Sequence, residues 1–195
     1  VLIILLFFVT SIYSIPNAGE SQWFIFSDDV VIDSVPAQIT KSGKSAPLSI
    51  SSADFDGDGI PDLATGYYDG EAGLLRFQMG NEKSLFPRDT ESIRKQFEGI
   101  YEDPAFLPSS LIMEIPAKPD FLISGDFDND GRQDLISGAA KDSILYFIKG
   151  DGVGGFILED ALELPGKIDA LKRADVNRPD NLMDFIVAVT DIDVS

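Results

Sequence analysis

The sequence predicts an all-β chain, a partial β-propeller of about three four-stranded blades with calcium-binding loops between strands and one short helical insertion. Three observations predict it. Two acidic nine-residue stretches recur, Asp54-Phe-Asp-Gly-Asp-Gly-Ile-Pro-Asp62 and Asp126-Phe-Asp-Asn-Asp-Gly-Arg-Gln-Asp134. Each is followed by a short apolar run ending in glycine, Leu63-Ala-Thr-Gly66 and Leu135-Ile-Ser-Gly138. A third, fading copy runs from Ala174-Asp-Val-Asn177 to Asp184-Phe-Ile-Val-Ala188. Recurrent units of this kind point to blades, solenoids or arrays. All-strand units joined by hairpin turns favour a propeller, whose blades are four-stranded sheets.

The acidic stretches carry the chemistry. Carboxylates stand at positions 1, 3, 5 and 9, with Gly59 or Gly131 at position 6. Alternating acids suit a loop wrapped around one hard cation, and the glycine allows the bend. Calcium takes six to eight oxygens at about 2.3–2.6 Å. Four carboxylates crowded together without a cation would repel one another. The loop is not an EF-hand. That motif needs a bidentate Glu at position 12 before a helix, whereas position 12 here is Thr65 or Ser137 and strand-like sequence follows. The acid at position 9 must therefore close the site. The expected ligands are Asp54, Asp56, Asp58, Asp62 and the Ile60 carbonyl in one loop. In the other they are Asp126, Asp128, Asp130, Asp134 and the Arg132 carbonyl. For a single copy, a solvated acidic turn is the alternative, since Asp and Gly are common turn residues; two copies in matching context favour the metal.

The context does match. Leu74-Leu-Arg-Phe-Gln-Met-Gly80 aligns with Ile144-Leu-Tyr-Phe-Ile-Lys-Gly150, and a Phe follows six residues later, Phe86 or Phe156. Upstream, Ser51-Ser-Ala-Asp54 aligns with Ile123-Ser-Gly-Asp126. The pattern D-F-D-G-D-G-x-x-D-L-x-x-G, then an apolar strand and a glycine-rich turn ending in Phe, resembles the FG-GAP/VCBS repeat. That repeat occurs in integrin α-subunit propellers and many secreted bacterial proteins. The resemblance covers about residues 45–80, 120–158 and, weakly, 168–190. It implies seven-bladed propellers with structural calcium in an inter-strand loop and partners bound elsewhere. Ser137-Gly-Ala-Ala140 resembles the GAP element, whereas Thr65-Gly-Tyr-Tyr68 departs from it.

The third loop breaks the pattern. It runs one residue long, places Pro179 at position 5 and lacks the glycine. Asp175, Asn177, Asp180 and Asp184 are its ligand candidates, with weak or absent binding expected.

Repeat units are expected at about 45–86, 119–158 and 168–195, within a propeller region of 20–195. From Phe86 to Asp126 there are 40 positions, against 19 from Phe156 to Asp175, so an insertion is placed at 87–118. It is longer than most loops. Ile93, Phe97, Ile100 and Tyr101 fall at helical spacing inside it, with Asp89 or Thr90 as N-cap and Gly99 near the end. Packing of this short helix on the propeller is the favoured reading; a partner-binding excursion is the other. Trp23-Phe-Ile-Phe26 and Val30-Val-Ile32 read as strand, turn, strand.

The chain has 195 residues, no Cys and no His, and 33 acidic against 15 basic residues, for a formal charge of -18. That field argues against nucleic acid, whose phosphates need Lys and Arg, and against anionic membrane surfaces. Two bound calcium ions would bring the charge to about -14. Without Cys there is no disulfide framework, so calcium would be the only staple.

Residues 1–19, opening on Val1-Leu-Ile-Ile-Leu-Leu-Phe-Phe-Val9, read as a signal peptide truncated at its start. The apolar run would span about 23 Å as a helix, short of a bilayer core of roughly 30 Å. Export to the extracellular space, cell surface or periplasm follows, with no membrane insertion of the mature chain. Both ends look cut, as expected of an N-terminal piece of a longer secreted protein.

Gly150-Asp-Gly-Val-Gly-Gly155 fits a dinucleotide fingerprint, but no helix opens on it, so it reads as an inter-strand turn. Gly43-Lys-Ser45 lacks the leading glycine of a phosphate loop. Catalysis without His or Cys would need carboxylates, Tyr, Lys or Arg, and the densest acids are committed to calcium. The expected function is a secreted, calcium-binding, non-enzymatic scaffold for a protein or glycan partner. The alternative is the non-catalytic propeller part of a larger secreted hydrolase or lyase acting on polysaccharide.

Overall fold

A computed structural model of the chain describes residues 5–6, 30–31, 46–100, 103–176 and 183–190. Residues 1–35 and 36–195 form two compact units. In the first, β1 (Leu5–Leu6) pairs antiparallel with β2 (Val30–Val31). The rest of the expected leader, and the strand expected at Trp23–Phe26, lie outside the described residues.

Among its described residues the second unit holds three sheets, each antiparallel and each laid out in chain order. The first sheet comprises β3 (Pro47–Ala53), β4 (Asp62–Tyr68), β5 (Gly73–Gly80) and β6 (Phe106–Ile115). The second comprises β7 (Phe121–Gly125), β8 (Asp134–Gly138), β9 (Ile144–Gly150) and β10 (Phe156–Glu163). In the third, β11 (Lys167–Ala174) pairs with β12 (Asp184–Thr190). The first strands lie side by side, β3 against β7 and β7 against β11. Ser124 joins them: its hydroxyl lies 2.9 Å from the Ser51 hydroxyl and 3.2 Å from the Ser52 carbonyl, and its carbonyl accepts from Arg173. The fourth strand β10 is exposed along almost its whole length. This is an all-β, propeller-like arrangement, with first strands inside and fourth strands outside.

The core lies between the sheets rather than within one. Central strands β4 and β8 are buried on both faces, which explains why their sequences are continuous apolar and small residues rather than alternating ones. Phe55, Ala64, Leu75, Phe77 and Ile115 of the first sheet unit pack with Leu122, Leu135 and Ile148 of the second. On the second sheet's other face, Ile136 and Leu145 pack with Ile168, joined by Phe127 and Phe185.

The insertion differs from expectation in two ways. Residues 106–115, inside the range 87–118, are the fourth blade strand β6. Gly80 pairs with Phe106 just as Gly150 pairs with Phe156. Phe106, not Phe86, is thus the counterpart of Phe156, and Phe86 is 62% exposed. The excursion is therefore residues 81–105, set between third and fourth strands. Asn81 closes its neck: its N–H donates to the Ala105 carbonyl and its Nδ2 to that of Pro104.

The second difference is the helix packing. Among its described residues the excursion holds two helices, α1 (Glu82–Leu85) and α2 (Thr90–Phe97). Asp89 caps α2 by accepting from the Ser92 N–H, and Gly99 follows with φ +70°. Yet α2 buries no residue, and Phe97 is 89% exposed. Its apolar row faces solvent, because the excursion leaves the sheet at Asn81 and the helix does not fold back onto the strands.

Candidate metal centre

Each acidic stretch is the connection between the first and second strands of its sheet, 54–61 between β3 and β4 and 126–133 between β7 and β8. Asp54, Asp56 and Asp58 each bring one carboxylate oxygen within 4.8 Å of the others, as do Asp126, Asp128 and Asp130. Backbone geometry makes this convergence possible. Gly59 and Gly131 at position 6 have φ +86° and +84°. Position 4 is left-handed as well, held by Gly57 in one loop and by Asn129 in the other; Asn tolerates that region better than other side chains.

The loops organise themselves through N–H groups. Asp54 accepts from Gly57 and Gly59, Asp56 from Asp58, and Asp58 from Ile60 at 2.7 Å. In the second loop Asp126 accepts from Asp130 and Gly131, Asp128 from Asp130, and Asp130 from Arg132 at 3.0 Å. Position 7, Ile60 or Arg132, is thereby tied to the carboxylate of position 5.

The acids at position 9 do something different. Asp62 is 1% exposed and Asp134 0%. Asp62 accepts from the Phe55 N–H and the Gly80 N–H, both at 2.7 Å. Asp134 accepts from Phe127 at 3.2 Å and Gly150 at 3.0 Å. Each is a brace joining the loop's entry to the end of the third strand. In the third loop Asp184 likewise accepts from the Val176 N–H at 3.1 Å. Asp175 is described at the end of β11, whereas Asn177 and Asp180 lie outside the described residues.

Electrostatics separates the acids. Burial raises the Asp62 and Asp134 carboxyls above the ordinary 3.8, against the opposing pull of their N–H donors, and the neighbouring loop acids add to the rise. Asp56 is also raised, first by burial and then by the charges of Asp58 and Asp54. Asp130 is lowered, chiefly by its bond to Lys149. That lysine's ammonium contacts Asp128 and lies 3.1 Å from Asp130. A cation thus already sits on the second loop.

The donor set suits a hard divalent ion: oxygen only, carboxylate-rich and clustered. Asp54, Asp56 and Asp58, or Asp126, Asp128 and Asp130, would hold it, and the ion would supply charge neutralisation and rigidity. The sign of the pH dependence follows. In the calcium-free folded protein Asp56, Asp62 and Asp134 release their protons at higher pH than in the unfolded chain. Their contribution therefore favours folding at low pH and is lost as pH rises through the raised values. Asp130 runs the other way, contributing above 3.8 and losing that contribution as pH falls through its lowered value. Calcium binds ionised carboxylate. The calcium-induced rise in Tm should therefore be near zero at about pH 3.5 and grow toward about pH 7. A calcium effect independent of pH would contradict these assignments.

Sequence reasoning missed one connection. The Gly150–Gly155 turn of the second sheet lies on the first loop: the Gly154 N–H donates to the Phe55 carbonyl at 3.3 Å, and a Cβ on Gly57 would stand 3.3 Å from the Gly152 carbonyl. A cleft of about 490 Å³ opens between the two loops, lined by Asp54 and Gly57 on one side and Gly131 and Arg132 on the other.

Residues 46–75 match the family model for the FG-GAP repeat. The match spans β3, the first acidic loop, β4 and the start of β5. No curated protein and no solved structure matches the chain. Residues 46–75 are thus an FG-GAP repeat, and its acidic loop and antiparallel strands recur in the second sheet.

Proposed function

We propose that this chain is a secreted or surface-exposed calcium-binding scaffold, in which Asp54, Asp56, Asp58 and Asp62, with the Ile60 carbonyl, hold one ion. Asp126, Asp128, Asp130 and Asp134, with the Arg132 carbonyl, hold the second, and Asp175, Asn177, Asp180 and Asp184 form at most a weak third site. The observation that carries this is the convergence of three carboxylates in each of two equivalent inter-strand loops. FG-GAP repeats are typically extracellular, non-catalytic interaction modules, which supports export and a non-enzymatic role. Among the described residues no helix is long and apolar enough to cross a membrane. The partner is a protein or glycan. The exposed row Ile93, Phe97 and Ile100, held outside the sheets by the Asn81 neck, supports partner binding at the excursion.

Asp56→Ala and Asp128→Ala test the calcium assignment. Each should leave the calcium-free melting curve nearly unchanged and remove most of the calcium-induced stabilisation of its blade. At a hundredfold excess of calcium over Kd that stabilisation is about 2.7 kcal/mol per site. Superimposable melts of wild type and variants in calcium and in EDTA would refute it.

A further inference from the structure

The two acidic loops are alike in their carboxylates and unlike in the cations beside them. Lys149 occupies the next-to-last position of β9, and its backbone is fixed by pairing with Ile157. Its side chain is one-quarter exposed, and its ammonium bridges Asp128 and Asp130, positions 3 and 5 of the loop. Arg132, at position 7, places its guanidinium 3.7 Å from the same Asp130 carboxylate. The first loop has neither group. Position 7 there is Ile60, which is buried. The residue matching Lys149 is Met79, which turns its thioether toward Gly154 (Cε 3.0 Å and Sδ 3.5 Å from where a Cβ would stand). Among the described residues no Lys or Arg pairs with Asp54, Asp56 or Asp58.

We infer that Lys149 is an affinity-setting residue that makes the second loop the weaker calcium site, so that the two loops fill in order, the Asp54–Asp62 loop first. The inference rests on the reading of both loops as calcium sites. Its physics is competition. A divalent ion entering the second loop must detach the ammonium from two carboxylates and then tolerate a positive charge a few ångströms away. Among the described residues no Lys or Arg is paired with Asp54, Asp56 or Asp58, so an ion entering the first loop displaces no cation. The ammonium also offsets part of the second loop's charge without calcium, whereas among the described residues no Lys or Arg is paired with Asp54, Asp56 or Asp58. Limiting calcium therefore secures the first loop, and with it the docked Gly150–Gly155 turn, before the second loop fills.

Asp56→Asn isolates the second loop and Asp128→Asn isolates the first; calcium titration calorimetry on each gives the two Kd values. The first loop should bind about tenfold or more tightly than the second. In the Asp56→Asn background, Lys149→Met, the residue the first sheet carries at that place, should tighten the second loop by about tenfold. Lys149→Gln, which keeps length and polarity, should do the same, and Lys149→Arg should leave the weak affinity in place. Circular dichroism melts confirm folding of each variant. Two measurable sites of equal Kd, unmoved by Met or Gln at 149, overturn this inference alone. Absence of calcium binding in the wild type and in every variant overturns the calcium reading together with it.

Discussion

Replacing Asp62 by alanine should destabilise the protein by roughly 3–5 kcal/mol in EDTA, and by more in calcium. The larger part of the loss is backbone; the missing calcium ligand adds to it only when the ion is present. The carboxylate is 1% exposed and takes the N–H groups of Phe55 and Gly80, one on each oxygen. Alanine would strand both donors away from water, and each stranded donor costs about 1–3 kcal/mol. A domain has only about 5–15 kcal/mol of stability in all, so the loss is large. Asp134→Ala should repeat the result in the second blade through Phe127 and Gly150. Asparagine at either position keeps one acceptor oxygen and should recover about half of the loss. Urea unfolding with and without calcium separates the brace from the ion site. A loss seen only in calcium would show that position 9 acts through the metal and that the N–H bonds carry little.

The acidic loops were legible because their chemistry is written in consecutive residues: carboxylates at positions 1, 3, 5 and 9, a glycine at 6, then an apolar strand. The structure adds that two oxygens of the position-9 acid bond to backbone, a fact with no signature beyond the burial of the strand it begins. Equivalence of the two blades was legible through Leu74–Gly80 and Ile144–Gly150, and β5 and β9 confirm that alignment. The fourth strand of the first blade was not. Phe86 stands at the same distance from Gly80 as Phe156 from Gly150, so spacing alone chose the wrong phenylalanine. What decides is where the chain returns to the sheet edge, and Asn81 and Phe106 set that through contacts 20 or more residues apart. The exposure of α2 was hidden for a related reason. Helical spacing of Ile93, Phe97 and Ile100 reports an apolar face, and says nothing of whether a surface remains to receive it. Lys149 was visible as a mismatch with Met79 in an otherwise apolar strand. Its meaning depended on knowing that the strand's end lies over the neighbouring loop, a relation of register rather than of composition.

Phe55→Ala should cost about 3–5 kcal/mol and should also weaken calcium at the first loop, although Phe55 supplies no carboxylate. Three of its parts do separate work. Its ring is 1% exposed, edge-on to Phe77 at 6.1 Å and to Phe156 at 5.3 Å, while Phe77 and Phe156 stack at 3.8 Å. Phe156 comes from the second sheet, so this trio is the seam between two blades. The N–H of Phe55 meets Asp62 and its carbonyl receives Gly154. The residue between ligand candidates Asp54 and Asp56 is therefore the one that anchors the loop to the core below, to the brace beside it and to the next blade. Removing the ring leaves a cavity that the sheets, fixed by their ladders, fill only in part. The stem of the loop then loses its anchor, and the three carboxylates must be ordered by the ion itself, which lowers its affinity. The opposite sheet interface offers a control. Phe127 is its counterpart, edge-on to Phe185 at 6.0 Å, and it is only partly buried, so Phe127→Ala should cost less. Calorimetric titration and thermal melts of both variants give the comparison. If Phe55→Ala lowers stability while leaving the first loop's Kd untouched, the ion and the seam are independent; coupled losses mean that calcium and the aromatic trio hold the same joint.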